Sequence, residues 1–231
     1  MKKLVIISLA AILFSSMAHA QMPKLSKKEV SQGWRLLFDG KTSEGWTSVR
    51  VGRPFPESGW VIENGVITVQ ERSRAGDIIT VDEFQDFELS IEFRITKGAN
   101  SGIKYFILPE TTLGLEFQIL DDANHPDALE GKDGNRWQGG LYDMIAPKGK
   151  KDKPVGKWNH ARIISKGNHV EHWLNGRKIV EFERFSPAWD ALVAESKYIA
   201  NPGWGTPLKS PILLQDHNDV VSFRNIKIRE L

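Results

Sequence analysis

Glu116 and Gln118 stand two residues apart in the stretch GLEFQILDDANHPDA (114–128), and Asp121, Asp122 and His125 follow within a few positions. Apolar residues alternate with the two polar ones, as along a half-buried strand, so Glu116 and Gln118 project to the same side. Gln215 and His217 repeat that spacing in SPILLQDHND. Four such groups on two strands could converge on one face. Carboxylates, amides and imidazoles gathered there suit acid–base work and the reading of hydroxyl groups. A lone Glu or Gln on an alternating strand is ordinarily solvent-facing, and an aspartate at a strand end often only caps a turn. The second pair and the dense acidic run after Glu116 make this set a candidate site.

Other residues are weaker candidates taken singly. Tyr142 follows QGGL and could point a hydroxyl into a cleft, while Lys104 after NSGI and Lys197 near the end of a helical segment are residue types that ordinarily stay solvated. Trp137 and Trp204 lie in glycine-rich loops and could stack on a sugar ring. Trp34, Trp46, Trp60, Trp158 and Trp173 adjoin strands and are expected in the core. His160, His169 and His172 have no partner in the sequence pattern and are expected to be structural or exposed.

The elements that must position these groups are strands. FELSIEFRI (87–95) puts Phe87, Leu89, Ile91, Phe93 and Ile95 on one side and Glu88, Ser90, Glu92 and Arg94 on the other. GWVIENGVITV reads as a hairpin turning at Asn64-Gly65, and residues 158–183 read as a three-stranded meander with turns at Gly167-Asn168 and Asn175-Gly176. SPILLQDHND and VVSFRNIKIREL supply two further strands. Short strands with Gly and Asn turns in a chain of this size indicate a two-layer β-sandwich. One short helix is expected over 186–198, with Ser186 as cap and Pro187 in its first turn. Residues 123–140 and 146–157 read as loops.

Around this domain, assigned to residues 33–231, a leader is expected at 1–20 and a linker at 21–32. Lys2 and Lys3 precede an apolar run, and Ala18-His19-Ala20 has the small residues of a secretory cleavage site. The apolar run is too short for a permanent membrane span, and Gln21 rather than cysteine follows the cut, so a periplasmic or secreted location without membrane insertion is expected. Without the two leader lysines the formal charge falls from +2 to 0, which offers no global field for nucleic acid. The chain has no cysteine, excluding disulfides, thiolate metal sites and cysteine nucleophiles. Phosphate-cradling glycine loops, dinucleotide fingerprints, nucleophile-elbow serines and paired-histidine zinc helices are absent too, so no nucleotide cofactor is expected.

LLFDGKTSEGW, FELSIEFRI, NSGIKYFI, GLEFQILDD, GGLYDMIAP, GKWNHARI, HWLNGRKI, ILLQDHND and VSFRNIKI occur in one order along the chain. In these blocks the chain resembles the 3-keto-disaccharide hydrolase family of exported bacterial proteins, from about Gly33 to Leu231. The resemblance implies a concanavalin A-like jelly-roll sandwich, an oligosaccharide or glycoside substrate, and a separate oxidoreductase that first converts the sugar C3 hydroxyl to a ketone. It brings Asn100 of NSGIKYFI into the substrate-binding set with Lys104, Gln118, Tyr142, Gln215, Lys197 and Trp137. Lys104 stands where family members often carry arginine, which keeps the charge and loses the planar fork.

A ketone at C3 acidifies the C2 proton, so a base can remove it, the C1 substituent leaves by β-elimination, and water adds to the enone. Such a site needs a base, a holder of the enolate oxygen and an acid for the leaving oxygen. Glu116 or His217 could serve as base or acid, and Lys104, Lys197 or a bound cation could hold the enolate. Asp121 joins the catalytic set through the family motif, although strict alternation from Glu116 turns it toward the core unless the strand ends or bulges at Leu120. A divalent cation on Glu116, Asp121 or Asp122, and His125 or His217 is chemically reasonable. Two rival expectations are a non-catalytic carbohydrate-binding sandwich, and an ordinary glycosidase in which Glu92 supplies the second carboxylate.

Overall fold

A computed structural model of the chain describes residues 22–231; the expected leader lies outside them. In chain order the strands are β1 (Arg35–Leu36), β2 (Trp46–Ser48), β3 (Trp60–Glu63), β4 (Val66–Val69), β5 (Ile78–Thr80), β6 (Phe87–Ile95) and β7 (Asn100–Tyr105). They continue as β8 (Leu115–Leu120), β9 (Asn159–Lys166), β10 (His169–Leu174), β11 (Arg177–Glu183), β12 (Leu213–Leu214) and β13 (Val221–Glu230). The larger antiparallel sheet has the order β11-β10-β9-β6-β13-β4-β3, with β1 paired to β13; the smaller has the order β2-β5-β12-β7-β8. This is the expected all-β jelly-roll sandwich.

The core is the seam between the sheets. Phe87, Leu89, Ile91 and Phe93 of β6 are fully buried, as their alternation requires. Phe87 meets Tyr105 of β7 edge-on at 6.0 Å between ring centroids, and Phe93 meets Phe117 of β8 at 6.4 Å, the geometry that aromatic quadrupoles favour. Buried His172 of β10 joins the sheets through a 2.6 Å hydrogen bond between its Nε2 and the Tyr105 hydroxyl, and its Nδ1 lies 3.1 Å from the Gly139 carbonyl. Nδ1–H therefore donates to the carbonyl and Nε2 accepts from Tyr105, leaving neither nitrogen unpaired. The hairpin turns fall where expected, with positive φ at Asn64 and Gly65 and again at Asn175 and Gly176.

Several expectations change. The segment read as a linker carries helix α1 (Lys27–Ser31), closed by a Ser26–Glu29 capping box and tied to β13 by the Glu29–Lys227 ion pair. The expected helix is α2 (Pro187–Glu195), capped by Ser186 and followed by a 3-10 turn at Lys197–Ala200. Trp46 and Trp60 are core residues. Trp34, Trp158 and Trp173 are not, because each lies under guanidinium groups outside the seam: Arg229 is 5.3 Å from the Trp34 ring, Arg224 4.1 Å from Trp158 and Arg162 5.0 Å from Trp173. Trp204 is packed rather than presented, stacked on Trp189 at 5.7 Å and on Tyr198 at 3.9 Å. Among the described residues no helix is long and apolar enough to cross a membrane.

Candidate active site

The smaller sheet has a second face, turned away from the seam. Ile103, Tyr105, Phe117, Ile119, Ile78 and Leu214 belong to the core, so their alternate neighbours point outward. The register arranges those neighbours in rows. Thr47, Ile79, Leu213, Lys104 and Glu116 are successive cross-strand partners. In the next row Gly102 faces Gln118, Gln215 donates its backbone N–H to the Gly102 carbonyl at 3.0 Å, and Asp77 continues the alternation from Ile79. Glu116, Gln118, Lys104, Asn100 and Gln215 therefore share one face, which the spacing predicts for Glu116, Gln118 and Gln215.

The two rows interlock through a missing side chain. A Cβ placed on Gly102 would lie 2.2 Å from Glu116 Oε1, so only glycine lets that carboxylate lie over β7. Glu116 Oε2 is 3.5 Å from Lys104 Nζ, both side chains being less than a tenth exposed. Lys104 also donates to the Thr112 carbonyl at 3.3 Å. Burial raises the Glu116 pKa, with Lys104 and Lys197 opposing that rise. Burial also raises the Asp77 pKa, against its hydrogen bond from the Asp216 amide and the Lys104 ammonium. One lysine thus serves two carboxylates. Gln118 donates to Asn100 Oδ1 at 3.4 Å, while the buried Gln118 Oε1 and Gln215 Oε1 have no partner. Two acceptors left open beside a buried carboxylate are expensive unless a ligand's donors reach them.

At one edge of this face lie His217, His125 and Asp219. Ligand atoms of the three are within 4.8 Å of one another, and the two imidazole centroids are 5.9 Å apart. His125 Nδ1 accepts from the Asp127 backbone N–H at 3.1 Å, which places the ring proton on Nε2, so Nε2 becomes a ligand only when that proton shifts to Nδ1. Asp219 Oδ2 accepts from the Asn100 backbone N–H and lies 3.6 Å from His217 Nδ1. At another edge, Lys197 Nζ sits 4.1 Å from the centroid of the Tyr142 ring. Burial lowers the Lys197 pKa, and Asp143 opposes that shift. The Tyr142 hydroxyl donates to Asp127 at 3.3 Å, and the Tyr142 amide donates to the Glu116 carbonyl at 3.1 Å.

The aspartates after Glu116 are placed differently. Strand β8 ends at Leu120, and Asp121 turns out of the alternation: its carboxylate accepts from Gly98 N–H at 2.8 Å, Asn124 Nδ2 at 2.8 Å and Ala123 N–H at 3.3 Å. Asp122 accepts from Gln138 N–H at 2.8 Å and pairs with Lys150. Both carboxylates thus close loops. Trp137 is 41% exposed, with its indole N–H on the Ala128 carbonyl and its ring against Gly134, which puts it on the surface of its own loop. Glu92 is not a partner of Glu116. It lies on β6 of the other sheet, 2.7 Å from Arg224, so it cannot oppose Glu116. Asp77 and Asp219 were missed. Asp77 precedes a three-residue strand too short to show a period, and Asp219 lies in a loop without one.

The model of the 3-keto-alpha-glucoside-1,2-lyase-like domain matches residues 33–229. A 3-keto-disaccharide hydrolase from Bacteroides thetaiotaomicron is 33% identical over 247 aligned positions, spanning 94% of this chain and 84% of the relative. A crystal structure of a candidate glycosyl hydrolase from Parabacteroides distasonis superimposes with a TM-score of 0.81 at 31% identity, covering 91% of this chain and all of that one. A carbohydrate-binding module from Bacillus subtilis shares the fold at 11% identity, with a TM-score of 0.52 over 80% of this chain and 96% of the module.

Proposed function

The chain belongs to the 3-keto-alpha-glucoside-1,2-lyase-like domain family, and we propose from that membership and from the outer-face cluster that it is an exported enzyme cleaving 3-keto-glycosides. The observation that carries the reading is the buried Glu116 flanked by two unpartnered amide oxygens, Gln118 Oε1 and Gln215 Oε1. Hydroxyl groups of a sugar lying over Gly102 would donate to both.

In this reading Glu116 is the base. It takes the proton from C2, and the C2–H electrons become the C2–C3 enolate. Burial, which raises its pKa, makes the carboxylate a stronger base than one in water. The enolate oxygen gains its negative charge near Lys104 and Lys197, whose ammonium groups hold it without solvent reorganisation. The C1–O bond then breaks, the C3 ketone re-forms beside a C1=C2 double bond, and the leaving oxygen takes a proton from Asp77, whose carboxyl is also favoured by burial. Water added across C1=C2 completes a net hydrolysis. Asp121 is a positioning residue that holds the end of β8.

His125, His217 and Asp219 fit a divalent cation in ligand type and spacing; when bound, it would supply a Lewis acid for a sugar carbonyl oxygen. This reading assigns His217 to that group and not to proton transfer. The ketone requires a separate oxidoreductase acting at C3, consistent with the expected leader and an extracytoplasmic location.

The Glu116–Asp77 pair also admits a second reading, direct hydrolysis by two carboxylates. The test is cleavage of a 3-keto-glucoside and its unoxidised parent, with C2 proton exchange followed in heavy water. Cleavage of the keto sugar alone with C2 exchange supports elimination. Equal cleavage of the parent favours the two-carboxylate route, and binding without cleavage of either leaves a carbohydrate-binding surface.

A further inference from the structure

The row that contains Lys104 and Glu116 does not stop at the polar cluster. Two strands away it reaches Ile79 and then Thr47, and these two side chains form one side of a cleft of about 420 Å³, within the roughly 300–1,000 Å³ of small-molecule sites. The turn after β7 forms a wall through Leu108. That wall joins the cluster directly, because Thr112, just beyond it, receives the Lys104 ammonium. Strand spacing puts Ile79 about 10 Å from Lys104 along the row, with the buried Leu213 between them, a span that one sugar ring bound above Leu213 and the Glu116 carboxylate would bridge. Asp77, the proposed proton donor to the leaving oxygen, is two residues from Ile79 on the same face.

The lining is unlike the cluster. Val49, Ile79, Leu108, Pro207 and Pro211 are half-buried, and the Thr47 hydroxyl is already donated to the Arg53 carbonyl at 2.6 Å. Charged side chains stand toward the rim, where Glu83 is paired with Lys209 at 3.1 Å. The cleft lining includes no aromatic ring and no side-chain amide, so it offers neither a stacking surface nor amide partners for a second sugar. Hydroxyl groups buried against these aliphatic walls, away from the exposed Arg50, Arg53 and Glu110 of the same cleft, would lose water without replacement, whereas an apolar ring gains from the same burial.

We propose that this cleft receives the leaving group, and that the substrates of this chain are 3-keto-glucosides of apolar, ring-bearing aglycones in preference to 3-keto-disaccharides. The inference rests on the proposed cleavage of 3-keto-glycosides and adds the aglycone class.

The experiment compares kcat/KM for the 3-keto derivatives of 2-naphthyl glucoside, methyl glucoside and a glucose disaccharide. It uses the wild-type protein and the variants Ile79→Asn and Leu108→Asn, which alter separate walls. The naphthyl substrate is expected to exceed the other two at least tenfold, and each variant to lower the naphthyl-to-methyl ratio about tenfold while keeping a cooperative thermal transition. Preference for the disaccharide, or an unchanged ratio in both folded variants, overturns the proposal. If no 3-keto-glycoside is cleaved, the functional reading fails, and the cleft is judged by titrating 2-naphthol: saturable binding lost in Ile79→Asn retains the apolar ligand class, and no binding removes it.

Discussion

Glu116 works in this site because its neighbours push it in opposite directions. Burial raises its pKa while Lys104, 3.5 Å away, keeps the ionised form accessible. Glu116→Gln keeps the shape and removes the base, so kcat on a 3-keto-glucoside should fall by about 10²–10⁴, with affinity for the unoxidised parent largely kept. Because a base must be deprotonated, kcat/KM should decline as pH falls through a value above the ordinary carboxylate pKa of 4.5; a limb at or below 4.5 would show that another group is titrating. The His125, His217 and Asp219 cluster is tested without turnover. Calorimetry with Mn²⁺ or Zn²⁺ should show one site per chain, lost in His125→Ala and in His217→Ala.

The smaller sheet matters as an element because its outer face is assembled from strands remote in the chain. Strand β12 brings Gln215 between Asp77 and Gly102, and β8 brings Glu116 across from Lys104. Gly102 is the point where this arrangement is most easily broken. In Gly102→Ala the new Cβ meets the Glu116 carboxylate at 2.2 Å, which must swing away, while the backbone of a strand accepts alanine readily. Activity should fall at least tenfold with little change in thermal midpoint. A large loss of stability instead would mean that the glycine serves the sheet and not the site.

Across the whole molecule, the sheets are held by an aromatic seam into which a polar link is set, Tyr105 to His172. Burial lowers the His172 pKa from 6.5 to about 4. The unfolded chain therefore takes up this proton first as pH falls. The associated stability is complete above about pH 6.5 and is lost progressively toward pH 4, to a total of about 3 kcal/mol for a shift of this size. Thermal midpoints should fall over that window, and His172→Gln should flatten the dependence even though it is less stable at neutral pH. The same link fixes the Gly139 carbonyl, close in sequence to Tyr142, so the seam also holds one edge of the site.

Strand periodicity, hairpin turns and the pairing of Glu116 with Gln118 were legible from the chain alone, because alternation of side chains and positive φ are set by neighbouring residues. The helix start at Ser186 was legible for the same local reason. Strand order and register were not, since they depend on how apolar faces residues apart in sequence come to share one seam. That long-range choice placed Asp77 on the face of Glu116, sent Glu92 to the other sheet, turned Asp121 into a loop anchor and put Ile79 beside a cleft. Residue types and local spacing set the chemistry available to this protein, and the packing of two sheets selected which of those groups meet.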